Sequence, residues 1–172
     1  GVQEAKGDII AFIDADDTWE PHYLEEVNEL HVRFPKAEAF GTAYQFIVDG
    51  DKYVDPKIRF RHKPRDAGIL NDYFSVGSRG DLPFMMSSFC IKKDTFMRLG
   101  GFPKGVPMGE DQDLFSRVAL EVDIAYSPSI LSFYHLDSSN RACQQIVPNE
   151  ECSFSKQVLD ACEDDAIPER QR

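Results

Sequence analysis

The sequence predicts an α/β fold, with a mixed and mainly parallel sheet flanked by helices. Three observations lead there. Asp8 to Ile13 is continuously apolar after its first residue, as expected of a strand covered on both faces, the habit of parallel sheets. Strand-like runs rich in aromatic and β-branched residues then take turns with segments of helical spacing, the pattern of α/β architectures. Finally, 172 residues of which 42% are hydrophobic can bury one sizeable core and are too few for two ordinary domains.

The elements follow in order. Lys6-Gly7 reads as the end of a helix, with Gly7 in the left-handed position that closes helices. The first strand then runs into Asp14-Ala15-Asp16-Asp17. Thr18 to Pro21 turns into a helix, with Pro21 at its first position, where a missing N–H costs nothing. Leu24, Val27, Leu30 and Phe34 keep helical spacing until Pro35. Ala39 to Val48 is a strand, Asp49-Gly50 a turn, and Lys52 to Ile58 a hairpin partner. Lys57 to Arg65 carries a base at every odd position, so an extended chain would present one basic face, the guard of a solvated edge strand. Gly77 to Pro83 is a loop, and Phe84 to Ile91 a second apolar strand with Ser87-Ser88 midway. Asp94 caps a short helix that stops at Gly100-Gly101, and Glu110 to Leu120 is a helix with Leu114, Phe115 and Val118 on one side. Ile124 to Tyr126 and Ile130 to Tyr134 are short strands separated by Ser127-Pro128-Ser129. A helix follows Pro148 through Leu159, and Glu163 to Arg172 reads as a frayed acidic tail. Residues 1–147 thus form the main unit, and residues 148–172 a C-terminal helix and tail.

Charge and cysteine usage narrow the function. The 19 Lys+Arg against 30 Asp+Glu leave a net charge of −11, the wrong sign for a nucleic-acid module, whose affinity comes from a basic surface. No apolar run approaches the roughly 18–20 residues that span a bilayer. Cys90, Cys143, Cys152 and Cys162 form no Cys-x-x-Cys pair and read as reduced thiols rather than a disulfide framework or zinc site.

Two acidic clusters carry the chemistry. Side chains two apart on a strand point the same way, so Asp14 and Asp16 converge at the carboxyl end of the first strand, where α/β sheets bind ligands. Two hard oxygen donors there suit Mg²⁺ or Mn²⁺. The second cluster, Glu110-Asp111-Gln112-Asp113, opens a helix. It supplies a general base or simply complements the helix dipole. His135 follows an apolar strand and is a candidate metal or phosphate ligand. The basic positions from Lys57 to Arg65 are candidates for an anionic substrate or lipid head groups.

Taken together, three segments resemble the family 2 glycosyltransferases, which have the GT-A fold. Ala5 to Pro21 is similar to the family's strand, D-x-D motif and Trp-x-Pro helix entry. Leu99-Gly100-Gly101-Phe102, then Gly109 to Leu114 and Arg117, resemble its Gly-Gly-Phe loop and Glu-Asp helix. Tyr134 to Ser139 is loosely like its closing segment, with His135 and Asp137 where the family often has Arg and His. The resemblance implies a partial GT-A fold, with the family's opening strand and nucleotide-base site preceding Gly1. It implies transfer of a sugar from a nucleotide-diphosphate sugar, by default a UDP-sugar, to an acceptor hydroxyl with inversion. By the same analogy Asp16, Asp14 and His135 hold Mn²⁺ or Mg²⁺, Asp14, Glu110, Trp19 and Ser88 contact substrate, and Asp111 is the catalytic base. A surface glycan or lipid-linked acceptor follows, and with it a cytoplasmic location and peripheral contact at the inner membrane face.

Two other readings compete. Asp14-Ala15-Asp16-Asp17-Thr18 also matches the D-x-D-x-T signature of haloacid-dehalogenase-like phosphatases. There Asp14 would be the nucleophile and Asp16 the acid/base beside Mg²⁺. The third reading is a non-catalytic fragment acting as a binding module.

Overall fold

The computed structural model describes residues 1–137, 154–164, 167, 168 and 171. Its centre is a sheet of seven strands: β1 (Ile9–Ala11), β2 (Thr18–Trp19), β3 (Ala39–Val48), β4 (Lys52–Val54), β5 (Gly68–Ile69), β6 (Phe89–Lys92) and β7 (Ile124–His135). The path is β1-β6-β3-β7-β2, with β4 added to the end of β3 and β5 to the start of β7. The long strands β3 and β7 run parallel down the middle, Ala39 opposite Ile124 and Ile47 opposite His135.

The fold class is as expected, a mixed α/β sheet, but the predominance of parallel pairing is not. Only β3–β7 is parallel; the other five pairings among the described residues are antiparallel. Continuous apolarity reports that both faces of a strand are covered and says nothing of its direction. Adjacent residues of β3, β6 and β7 divide between two cores. Phe40, Cys90 and Ala125 face one side, and Ala39, Ile91 and Ile124 the other.

The first core lies under helix α1 (Tyr23–Arg33), whose Tyr23, Val27 and Leu30 bury against Phe40, Cys90 and Leu131. Tyr23 takes the place expected of Leu24, which is 56% exposed. Thr18 and Trp19 pair with β7 instead of starting the helix, so His22 rather than Pro21 stands at its entrance. The helix ends before Pro35, as the residue preceding a proline disfavours helical geometry.

The second core lies under α4 (Glu110–Glu121). Phe115 meets Phe84 and Phe89 edge-on at 5.0 and 4.8 Å between ring centres, the geometry that ring quadrupoles favour. Two short helices, α2 (Tyr73–Gly77) and α3 (Lys93–Arg98), sit at its margins.

Several local expectations change. The opening segment is a 3-10 turn, Val2–Glu4, closed by an extended Ala5, and Gly7 is not among the glycines of positive φ. Phe84 to Ile91 is broken by a 3-10 turn, Met86–Ser88, before β6. The two strands expected around Pro128 are one, β7, whose register with β3 skips from Ser127 to Ile130. Pro128 sits in that skip, where its lack of an N–H removes no ladder bond. The segment Lys57 to Arg65 is not an edge strand and belongs to no regular element.

The helix expected after Pro148 is seen as α5 (Ser155–Glu163), and its earlier part lies outside the described residues. The tail is not uniformly frayed. Gln171 is buried, accepting a bond from Tyr73 N at 2.9 Å and donating one to Leu70 O at 2.9 Å. Its amide satisfies two backbone groups at the end of β5. Cys90 is buried and free, its thiol pushed up to about 12 by burial, which leaves it inert; Cys162 is exposed and free. Cys143 and Cys152 lie outside the described residues.

Candidate active site

The loop that leaves the carboxyl end of β1 and the first turn of α4 carry the two acidic clusters. Asp14 and Asp16 lie beyond β1, on a tight turn rather than on the strand itself: Asp17 N bonds Asp14 O at 3.1 Å. The turn, not strand alternation, brings the carboxylates together. Asp14 is open to solvent on one side and crowded by protein on the other. Burial, then Asp16, then Glu110 raise its carboxyl above the usual range.

Ser87 holds this turn. Its hydroxyl accepts from Asp14 N at 3.0 Å and also bonds the Asp17 carboxylate. Its carbonyl accepts from Trp19 Nε1 at 2.5 Å and from Ser132 Oγ at 2.9 Å. Asp17 itself is buried. Its Oδ1 accepts His135 N at 3.2 Å, while Oδ2 has no partner among the described residues. Burial is the main cause that raises its carboxyl, with Asp14 and Asp16 adding to it. Neither Ser87 nor Asp17 was singled out from the sequence. A serine in a buried apolar run is the one signal that could have found Ser87, and it pointed equally to Ser88.

Helix α4 carries the second acidic cluster. Gly109 enters it with φ 84°, a left-handed conformation that side chains rarely adopt. Asp111 is half-buried. Burial foremost raises its carboxyl, and Glu110 and Asp14 add to it, while the backbone N–H of Gln112 at 2.7 Å opposes the shift. The two acidic clusters therefore feel one another, as the sequence led us to expect: Asp14, Asp16, Glu110 and Asp111 share one field.

Three expected site residues are placed differently. Ser88 is fully buried, and its hydroxyl is spent on Met85, accepting from N at 2.8 Å and donating to O at 3.2 Å. Its assignment to substrate is corrected: the 3-10 turn points Ser87, not Ser88, to the acidic loop. Trp19 stacks on Tyr23 at 4.3 Å and gives its indole N–H to Ser87, so it braces the turn. His135 Nε2 lies 3.2 Å from Thr18 Oγ1, and among the described residues no three His, Cys, Asp or Glu side chains gather as a metal cluster. Asp137, the other residue considered there, is committed to Gly50 N at 2.7 Å.

A family model described as glycosyl transferase family 2 matches residues 1–93, more than half of the chain. The chain belongs to this family. Its match to a curated relative is local: an uncharacterized glycosyltransferase of Nostoc sp. strain PCC 7120 is 39% identical over 57 residues, 32% of this chain and 17% of that protein. Among solved structures, S. aureus TarS 1–349 in complex with UDP-GlcNAc aligns with a TM-score of 0.64 at 14% identity, over 85% of this chain and 40% of that one. The same protein in complex with UDP gives 0.58 at 14% identity, over 78% and 38%. At that identity the likeness shows the fold, part of a GT-A glycosyltransferase. The chain thus spans well under half the length of these relatives. Membership of the family sets the phosphatase reading aside.

Proposed function

We propose that this chain carries the metal-binding turn and the catalytic base of an inverting glycosyltransferase that uses a UDP-sugar. One observation carries the reading. Asp111 stands at a helix N-terminus, in electrostatic contact with Asp14 of the D-x-D turn, and no cation pairs with it among the described residues. A base placed near a diphosphate-binding turn is what single displacement needs.

The donor set fits a hard divalent cation. Asp14 is raised by burial first and by the neighbouring Asp16 carboxylate next, a repulsion that Mg²⁺ or Mn²⁺ would offset. Asp16 and Asp14 would hold it, and His135 enters that shell only by giving up Thr18. When bound, such a cation supplies charge stabilisation to the departing diphosphate.

The chain's own residues do the rest. Asp111 takes the proton of the acceptor hydroxyl as its oxygen bonds to the anomeric carbon. The bond from that carbon to the diphosphate breaks on the opposite face, and UDP leaves. Burial raises the basicity of Asp111, which brings it nearer the pH of the reaction. Ser87, fixed by Trp19 and Ser132, keeps the Asp14 to Asp17 turn in place. That the similarly folded TarS is in complex with UDP-GlcNAc and with UDP supports a UDP-sugar donor. The acceptor in this reading is a surface glycan intermediate, worked on at the cytoplasmic face of the membrane. No described helix is long and apolar enough to cross a membrane.

Calorimetric titration of UDP with and without Mn²⁺ tests the reading. Binding that requires Mn²⁺ is expected. Absence of any Mn²⁺-dependent UDP binding, in this chain and in any longer protein that contains it, would leave the binding-module reading in its place.

A further inference from the structure

The segment Lys57 to Arg65 holds five of the chain's 19 Lys and Arg residues and no acid. Lys57, Arg59, Arg61, Lys63 and Arg65 are all exposed, and none of them forms an ion pair among the described residues. In a chain of net charge −11, such a local reversal of field attracts anions. Four carboxylates border the segment, two of them bonded to its own backbone. Asp81 accepts Lys57 N at 2.7 Å, Asp72 accepts Arg61 N at 3.0 Å and Asp55 accepts Gln45 Nε2 at 2.7 Å; Asp66 alone of this group makes no such bond.

The segment is also pinned. Phe60 packs on Tyr126 at 5.7 Å, Ile58 and Pro64 are half-buried, and Arg61 Nε holds Ser75 at 3.1 Å. A hollow lies on each side. One of about 330 Å³ is lined by Tyr44, Phe60, Tyr126, Arg59 and Lys63, with Asp55 at its wall. The other, of about 310 Å³, is lined by Arg61, His62 and the same Tyr126, together with Asp66 and Asp72. Aromatic walls between cations suit sugar rings that alternate with anionic groups. Helix α2 lies between the strap and α4: Asp72, at its entrance, and Ser75 hold Arg61, and the same helix packs against α4.

We propose that this strap is the acceptor-binding surface for a polyanionic chain, a linear glycan bearing phosphate or carboxylate groups on its repeats. The inference rests on the transferase reading for the role of the bound chain as acceptor, and on the strap's own geometry for the binding. A lipid surface is the less suitable partner, because the strap's apolar residues turn inward and its cations border recesses.

The test uses linear polyphosphate and polygalacturonate as probes in solution, with phosphatidylglycerol–phosphatidylcholine vesicles alongside. At least one polymer binds, more weakly as salt rises. Arg59→Gln, Lys63→Gln and Arg65→Gln together weaken that binding by at least ~10-fold, through lost counterion release. Lys6→Gln, Lys36→Gln and Lys104→Gln, exposed positions away from the strap with the same charge change, leave it within about twofold on the same grounds. Mn²⁺-dependent UDP affinity is equal in both triple variants. Equal weakening by both triples, or wild-type binding to vesicles without binding to either polymer, overturns the proposal. Polymer binding through the strap in a protein that never binds UDP would uphold the strap and fell the donor reading.

Discussion

Asp111 and Asp113 stand two residues apart on the same helix and have opposite surroundings. Asp113 is buried and clamped: Arg117 Nη2 and Nε reach its Oδ1 at 2.5 and 2.8 Å. The same guanidinium ties down the carbonyls of Leu99 and Gly101. Asp111 has two backbone N–H groups, its own and that of Gln112, no cation among the described residues, and two like charges. The same contrast divides the sheet ends. Glu38, at the end away from the acidic turn, receives Thr95 and Arg98 and is lowered, with Thr95 the largest cause. Asp14 and Asp17 are raised. Carboxylates that hold the fold come with their donors. Those of the candidate active site are left short of them, a stability cost that a structural role would not explain.

The sharpest test of the structural side is Arg117→Ala. It strands a buried carboxylate and frees two carbonyls of the Gly-Gly turn, at Gly101 of which an added Cβ would come within 2.9 Å of Phe96. A loss of about 3 kcal/mol or more is expected, the usual cost of breaking a buried pair. Urea unfolding measures it, and a midpoint within error of wild type would break the contrast.

Asp111→Asn probes the other side. In the complete enzyme we expect turnover to fall by at least ~100-fold, the scale of a lost general base, with Mn²⁺-dependent UDP affinity retained. Near-wild-type turnover in a steady-state assay would remove Asp111 from the mechanism. Asp16→Asn should do the converse: Mn²⁺-supported UDP affinity falls at least ~10-fold, as a metal ligand's loss requires, while unfolding in the absence of metal changes little. Unchanged UDP affinity in calorimetry would count against Asp16.

Which of these roles the sequence revealed has physical reasons. β3 was legible to the residue because an aromatic and β-branched run is bounded by the Asp49-Gly50 turn, where both residues adopt positive φ. The two acidic clusters were legible because one follows an apolar strand and the other opens an amphipathic helix. Strand direction was not, since burial on two faces looks alike in either sense. Ser87 and Ser88 could not be told apart, because a three-residue 3-10 turn decides which hydroxyl faces the acidic loop. Trp19 reads as helix entry until its pairing with Ser132 is known. Gln171 acts only through contacts about a hundred residues away in sequence, which no local pattern records.

The smallest expected effect separates the two kinds of carboxylate by sign. A carboxyl raised in the fold binds its proton more tightly there than in the unfolded chain. Stability therefore falls as pH rises from the ordinary carboxylate range, near 4, to the folded value, and Asp111 contributes to that fall. A lowered carboxyl does the reverse. Glu38 contributes stability above its unfolded pKa that is lost as pH falls through its folded one. Asp111→Asn should accordingly flatten the decline between weakly acidic and neutral pH and leave the protein somewhat more stable at pH 7. Glu38→Gln should weaken it at pH 7 and flatten the loss on the acid side. Urea midpoints of both variants across pH 3 to 7 decide the matter. Shifts of the same sign would mean that the active-site carboxylate is held as firmly as the structural one, and the case for Asp111 as a base poised for use would fail with it.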